Sequence, residues 1–264
     1  MGAVGNAWEE EFSARVYETD VAGNFRMSSL FNYFQEIAGN HVEGLGIGYE
    51  ALKNLGYVWF LSRARVRIRK LPSWRDRGVI ETWHVKTDGL MYIRDFRMRD
   101  GAGNVFLDAS TGWLLMDTTE FKPHLADALP IPLPANDRGR ALDDPLKKLV
   151  PLRDLRPAYE RSVLLGDLDV NNHVNNARYL EWIFDCYDDA FVRSHALSFI
   201  QVNYVGETTL GDTVALSRGE DPSSSGVHYI EGVSRKKGSK VVQALVGWDA
   251  PEHGTTPTIH TQQT

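Results

Sequence analysis

Two stretches of the chain repeat one order of apolar and polar positions. The first opens with Thr19-Asp20-Val21-Ala22-Gly23-Asn24-Phe25-Arg26-Met27-Ser28 and runs into a helical pattern with Leu30, Phe34, Ile37 and Ala38 on one face. The second opens with Gly166-Asp167-Leu168-Asp169-Val170-Asn171-Asn172-His173-Val174-Asn175. Its helical face is Ala177, Leu180, Phe184, Tyr187 and Phe191. Aligned without gaps, Asp20 meets Asp167, Asn24 meets Asn171, and Ser28 meets Asn175; Ser28 and Asn175 are both N-cap residue types.

Strand-like runs follow each helix. In the first half they are 59–69, 79–86, 92–98 and 105–116, with a turn at Asp100-Gly101-Ala102-Gly103. In the second half 199–204, 213–216, 227–234 and 241–248 repeat the order. Asp76 and Asp212 stand at matching places before their strands. Each unit therefore reads as a strand, one long helix and several antiparallel strands. This is an α+β layer in which a curved antiparallel sheet wraps a helix, the hot-dog plan, used twice in tandem.

Seven of the eleven prolines lie between Phe121 and Pro157, so that stretch reads as a connector. The expected organisation is a first domain over 8–120, a linker over 121–157, a second domain over 158–250 and a disordered tail from Pro251.

Composition narrows the class. With 42% hydrophobic and 24% charged residues in 264, the chain can bury a large core. Its amino terminus lacks the basic start and apolar core of a leader, and no apolar run approaches the roughly 20 residues that span a bilayer. The single cysteine, Cys186, excludes an internal disulfide and a cysteine-built metal site, so a reducing cytoplasm is the expected location. A net charge of −6 argues against a general nucleic-acid binder, and nothing points to a metal or cofactor.

The chemistry stands where the halves differ. In the gapless alignment Ala22 lies opposite Asp169 and Arg26 opposite His173, and only the asparagine is kept. Asp169, Asn171 and His173 alternate, so an extended segment would place carboxylate, amide and imidazole on one side. They lead into a helix whose first amides can stabilise an oxyanion. His173 can exchange protons near neutral pH, Asn171 can orient water or a carbonyl, and Asp169 can order the loop or the imidazole. The other seven histidines have no such company.

The run 168–179, Leu-Asp-Val-Asn-Asn-His-Val-Asn-Asn-Ala-Arg-Tyr, closely resembles the signature of the plant and bacterial acyl-[acyl carrier protein] thioesterases. Ile80-Glu81-Thr82-Trp83 and Leu71-Pro72-Ser73-Trp74-Arg75-Asp76 resemble that family's first domain, so the likeness covers nearly the whole chain. It implies tandem hot-dog domains and hydrolysis of acyl-carrier thioesters to free fatty acid. It also implies catalytic roles for Asp169, Asn171 and His173, and for a carboxylate in a Tyr-x-x-Glu context. Here that context is Tyr204-Val205-Gly206-Glu207. Matching the halves through Asp76 and Asp212 puts Leu71 opposite Glu207. Plant members carry a cysteine after this glutamate, whereas this chain has Thr208. Cys186 lies beside Tyr187 of the apolar stripe, so direct attack by water is expected, with Glu207 or His173 as the base.

The expected partner is an acidic carrier protein. Arg63, Arg65, Arg67 and Arg69 share one strand face and could dock it; Arg235-Lys236-Lys237 with Lys240 is a second basic cluster. The acyl tail is expected beneath the first helix, near Leu30, Phe31, Phe34 and Ile37. A homodimer is compatible with this reading. The alternatives are an acyl-coenzyme A thioesterase on the same fold and a non-catalytic acyl-binding protein. A hydratase would carry a proline near Asn171, and none is there.

Overall fold

The computed structural model describes residues 5–124, 129–135 and 137–250; the expected disordered tail lies outside them. The first half comprises β1 (Ala7–Ser13), α1 (Met27–Gly44), α2 (Tyr49–Asn54), β2 (Tyr57–Ile68), β3 (Arg77–Asp88), β4 (Met91–Asp100), β5 (Val105–Asp117) and the short β6 (Pro123–His124). The second comprises β7 (Arg156–Ser162), α3 (Asn176–Phe184), α4 (Asp189–Ser194), β8 (Ala196–Tyr204), β9 (Thr213–Glu220), β10 (Val227–Ser234) and β11 (Lys240–Asp249).

All strands form one antiparallel sheet in the order β1-β3-β4-β5-β2-β8-β11-β10-β9-β7, with β6 paired to β5. Read inward from either edge, the two halves are the same: first strand, third, fourth, fifth, second. They meet where β2 pairs with β8, Ala64 opposite Val202 and Val66 opposite Ile200. All four of these side chains are fully buried, because alternation along each strand turns them onto the helices. Leu30, Phe31, Phe34 and Ile37 of α1 and Leu180, Trp182 and Ile183 of α3 fill the concave side in one continuous core. This is the tandem hot-dog architecture.

The second helical stripe is not one helix. Asp188 accepts a hydrogen bond from the Phe191 amide (2.8 Å) and so caps a new helix, α4, after α3 ends at Phe184. Tyr187 lies between them, buried and stacked on Phe191 and His228. Ser28 is also placed differently from expectation. It lies inside α1, whose N-cap is Arg26 with no side-chain cap bond, whereas Asn175 caps α3 by accepting from the Ala177 amide (2.8 Å).

The proline-rich connector is a strap rather than a loose joint. It crosses the convex face of the sheet strand by strand. Arg138 pairs with Glu81 on β3, and Arg140 bonds Asp95 on β4 (2.8 Å) and Ser110 on β5 (3.1 Å). Asp144 pairs with Arg67 on β2 (2.7 Å), and the Lys147 carbonyl accepts from Gln201 on β8 (2.8 Å).

Candidate active site

The two turns ahead of α1 and α3 have the same hydrogen-bonded skeleton. In the first, the Asp20 amide donates to the Asn24 carbonyl, and Asp20 Oδ1 accepts from the amides of Ala22 and Asn24 (both 2.9 Å). In the second, the Asp169 amide donates to the His173 carbonyl. Asp169 Oδ1 accepts from the amides of Asn171 (2.8 Å) and His173 (3.3 Å). The residue before the last takes a left-handed conformation in both, as Gly23 (φ 80°) and Asn172 (φ 62°), two residue types that tolerate it.

This corrects the gapless alignment by two positions. Asp20 corresponds to Asp169, Ala22 to Asn171 and Asn24 to His173. Asp167, matched to Asp20 by sequence, instead corresponds to Glu18. Each of those two accepts from the amide three residues upstream, Leu164 (2.8 Å) or Arg15 (2.9 Å). The aspartate is thus the shared residue, because the turn needs it. The imidazole at the last position of the turn and the amide side chain at the middle one belong to the second copy alone. Nor is the segment extended: Asp169 folds back on its own loop amides instead of facing outward beside His173.

Glu207 reaches this turn from the end of β8. Gly206 passes so close to β11 that a Cβ would lie 2.9 Å from the Lys240 carbonyl oxygen. The carbonyl of Thr208, the next residue, then accepts from the Val174 amide (3.1 Å), which joins the Glu207 segment to the His173 segment. Pro72 and Phe25 make the same bond in the first half (2.8 Å), so Leu71 is indeed the counterpart of Glu207. His173 Nε2 lies 3.4 Å from Glu207 Oε2, with both side chains partly exposed.

Thr208 and Cys186 are both enclosed. Thr208 is buried with its hydroxyl bonded to Tyr179. Cys186 is buried, and that burial pushes its thiol up to about 12.

Two first-half residues join the site without having been singled out from sequence. Tyr49, on α2, donates its hydroxyl to Asn171 Oδ1 (3.1 Å). Gln35, on α1, reaches Asn175 Oδ1 and Asn176 Nδ2 (both 3.4 Å). A cavity of about 140 Å³ opens beside them, lined by Ala38, Gly39 and Val42 of α1, Leu52 of α2, Trp59 of β2 and Asn171 itself. Leu30, Phe31, Phe34 and Ile37 do not line it; they point from the same helix into the closed core. Two of the α3 amides expected to receive an oxyanion already have partners, Ala177 on Asn175 Oδ1 and Arg178 on the Asn175 carbonyl.

The arginine face lies largely under the strap. Arg63 donates to the Leu146 carbonyl (2.7 Å), and Arg65 donates to Gln201 Oε1 (3.0 Å) and stacks over Phe199. Arg67 and Arg69 remain half exposed but face Asp144 and Asp108. The second basic cluster adjoins the site: Lys237 Nζ donates to the Glu207 carbonyl (2.7 Å), while Lys240 pairs with Glu231. Among the described residues no group of three or more His, Cys, Asp or Glu side chains is arranged to hold a metal, and no helix is long and apolar enough to cross a membrane.

Comparison with known proteins gives two family matches in succession along the chain. Residues 5–127 match the acyl-ACP thioesterase N-terminal domain, and 158–250 match the C-terminal domain. The chain is 28% identical over 240 residues to oleoyl-acyl carrier protein thioesterase 2 of Arabidopsis thaliana, covering 83% of this chain and 65% of that protein's length. It is 28% identical over 265 residues to the dodecanoyl-[acyl-carrier-protein] hydrolase of Umbellularia californica, covering 94% of this chain and 69% of that one. Both relatives are chloroplastic. In structure it resembles an acyl-ACP thioesterase from Bacteroides thetaiotaomicron (TM-score 0.76, 23% identity, 94% of this chain and all of that one). It also resembles the 12:0-ACP thioesterase of Umbellularia californica (TM-score 0.77, 24% identity, 93% and 98%). With both domain models matched in order along most of its length, the chain belongs to the acyl-ACP thioesterase family.

Proposed function

We propose that the chain hydrolyses the thioester of an acylated acyl carrier protein to a free fatty acid and the carrier thiol. The observation that carries this reading is the 3.4 Å contact of His173 with Glu207, on the loop from which Asn171 enters the cavity wall. A water held between the imidazole and the carboxylate gives up its proton to that pair as its oxygen attacks the thioester carbonyl. The tetrahedral intermediate then expels sulfur as the carbon–sulfur bond breaks, and His173 returns a proton to the thiolate. Tyr49 occupies Asn171 Oδ1, so the amide group Nδ2 is what Asn171 offers to the carbonyl oxygen. Asp169 acts through the loop: its two amide bonds hold Asn171 and His173 in place.

The acyl tail enters the cavity beside α1, across the half boundary from the reacting groups. For the carrier, the turn Arg235-Lys236-Lys237 is the better dock, since Lys237 already touches the Glu207 backbone. The reading is tested by Glu207→Gln, which preserves shape and removes the basic oxygen. Hydrolysis of acyl-carrier substrates should fall by about 10²–10⁴-fold, with binding of the acylated carrier retained; near-normal turnover would refute it.

A further inference from the structure

The repeat leaves a second cleft, between the turn before α1 and the pair α3 and α4. Its volume is about 710 Å³, within the roughly 300–1,000 Å³ of small-molecule sites. Its wall follows the catalytic half position by position. Trp248, in this wall, comes one residue after Gly247, which pairs with Phe199. Trp113, in the wall beside Asn171, comes one residue after Gly112, which pairs with Arg63. The exchanges around this shared floor run one way. Leu71 stands for Glu207 and Phe184 for Gln35, so two polar groups become apolar. Arg26 stands for Asn175 and Lys70 for Gly206, so two cations are added. The bond from the Phe25 amide to the Pro72 carbonyl (2.8 Å) holds the segments of these two cations together.

Arg26 and Lys70 are exposed, and among the described residues neither has a carboxylate within ion-pair distance; the neighbouring Arg69 is paired with Asp108 (2.8 Å). The acidic groups on the same wall are engaged elsewhere. Asp20 collects two amides of its own turn, and Glu181 pairs with Arg178 (2.9 Å). Asp185, at the C-terminal end of α3, is offset by the charge of Arg161. An apolar trough with two uncompensated cations beside it matches an anionic amphiphile. We propose that this cleft is a second, non-hydrolysing site for a long-chain carboxylate. The tail packs on Leu71, Phe184 and Trp248, and the head group meets Arg26 and Lys70. Asn24 and Leu71 stand where the other half has His173 and Glu207, so the site holds its ligand without reacting on it. Such a carboxylate is the product of the other half, a link that rests on the thioesterase reading; the binding itself does not.

The test is calorimetric titration of the full chain with decanoate and with decanol, repeated on two variants. Single exposed cations contribute little, so one variant removes both, Arg26→Gln with Lys70→Gln. The other, Leu71→Glu, copies the catalytic half, whose backbone already carries a glutamate at that place; circular dichroism melts check that each variant folds. The expected result is a decanoate site that weakens tenfold or more in each folded variant, and that the wild-type chain fills with decanoate in preference to decanol. An unchanged decanoate affinity in either folded variant would put the ligand elsewhere, the cavity beside α1 included, and overturn the proposal. Absence of decanoate binding, or decanol bound as tightly, would overturn it too. If unacylated acyl carrier protein loses affinity in these variants while decanoate does not, the cations dock a protein and the proposal fails. None of these measurements needs turnover. A chain that binds decanoate as expected but hydrolyses no thioester would therefore sink only the catalytic reading.

Discussion

The turn before α1 and the turn before α3 are the same object built twice, and they differ in the side chains they carry. Both are drawn tight by an aspartate that collects two loop amides, and both are tied to the strand-end segment by a backbone bond of about the same length. Where the second turn presents Asn171, His173 and Glu207, the first presents Ala22, Asn24 and Leu71. The first turn faces a wide cleft lined by Asn24, Leu71, Phe184 and Trp248, the counterpart of the cavity beside Asn171. The difference separates what the fold requires from what it leaves free: the copies share the scaffold, and the side chains of the proposed reaction stand on the second copy alone.

The largest expected effect comes from making the second turn resemble the first. His173→Asn copies Asn24 into a skeleton that already accepts it. Turnover should drop by about 10²–10⁴-fold while the thermal midpoint stays within roughly 2 °C of wild type. A parallel loss of folding in circular dichroism melts would mean that the imidazole, too, belongs to the scaffold.

The next effect is on acid stability and concerns a group buried in the first half. His41 has its folded-state pKa lowered from 6.5 to about 4, first by burial and then by Arg94. Between those values the unfolded chain binds a proton that the folded chain refuses, so stability falls as pH drops from 6.5 towards 4. The loss should reach about 2 kcal/mol between pH 7 and pH 5, read from urea midpoints. His41→Gln should flatten that decline; an unchanged pH slope would assign the acid sensitivity to other groups.

Tyr49→Phe removes the hydrogen bond that the first half donates to the Asn171 side chain. A loss of about 1 kcal/mol, roughly five- to tenfold in kcat/KM, is expected with no change in the melt. The smallest and most discriminating comparison pairs Asp20→Ala with Asp169→Ala. Each should cost about 1 kcal/mol of stability, but only Asp169→Ala should slow hydrolysis, since only its loop carries reacting groups. Equal effects on turnover would mean that the first turn is coupled to the site.

Much of this was legible from spacing. The strands show as alternating runs, and the observed elements extend the expected ones by a few residues at their ends. Glu207 was found opposite Leu71 because Asp76 and Asp212 mark the same strand entry, and the backbone bonds place them so. The register of the turns was not legible: the second copy has aspartates at both 167 and 169, and letters alone cannot say which one turns its oxygen onto the loop amides. The break after α3 was hidden because Tyr187 and Phe191 keep the helical period across the cap at Asp188. Alternation marks the arginines as one strand face, but what covers that face comes from a segment 77 to 83 residues away. Tyr49 carried no local sign at all, since its partner is 122 residues distant and on the other half.

The pairing of β2 with β8 has a further consequence. In a two-fold homodimer every substitution is made twice, so a change that widens one cleft must also spoil its twin. Covalent joining removes that constraint. Each half is free to drift alone, and a mutation such as glutamate to leucine at position 71 could have been harmless in one half while fatal in the other. The continuous sheet through Val66 and Ile200 keeps the halves in register while they do so. One chain can therefore specialise one half for reaction and the other for recognition.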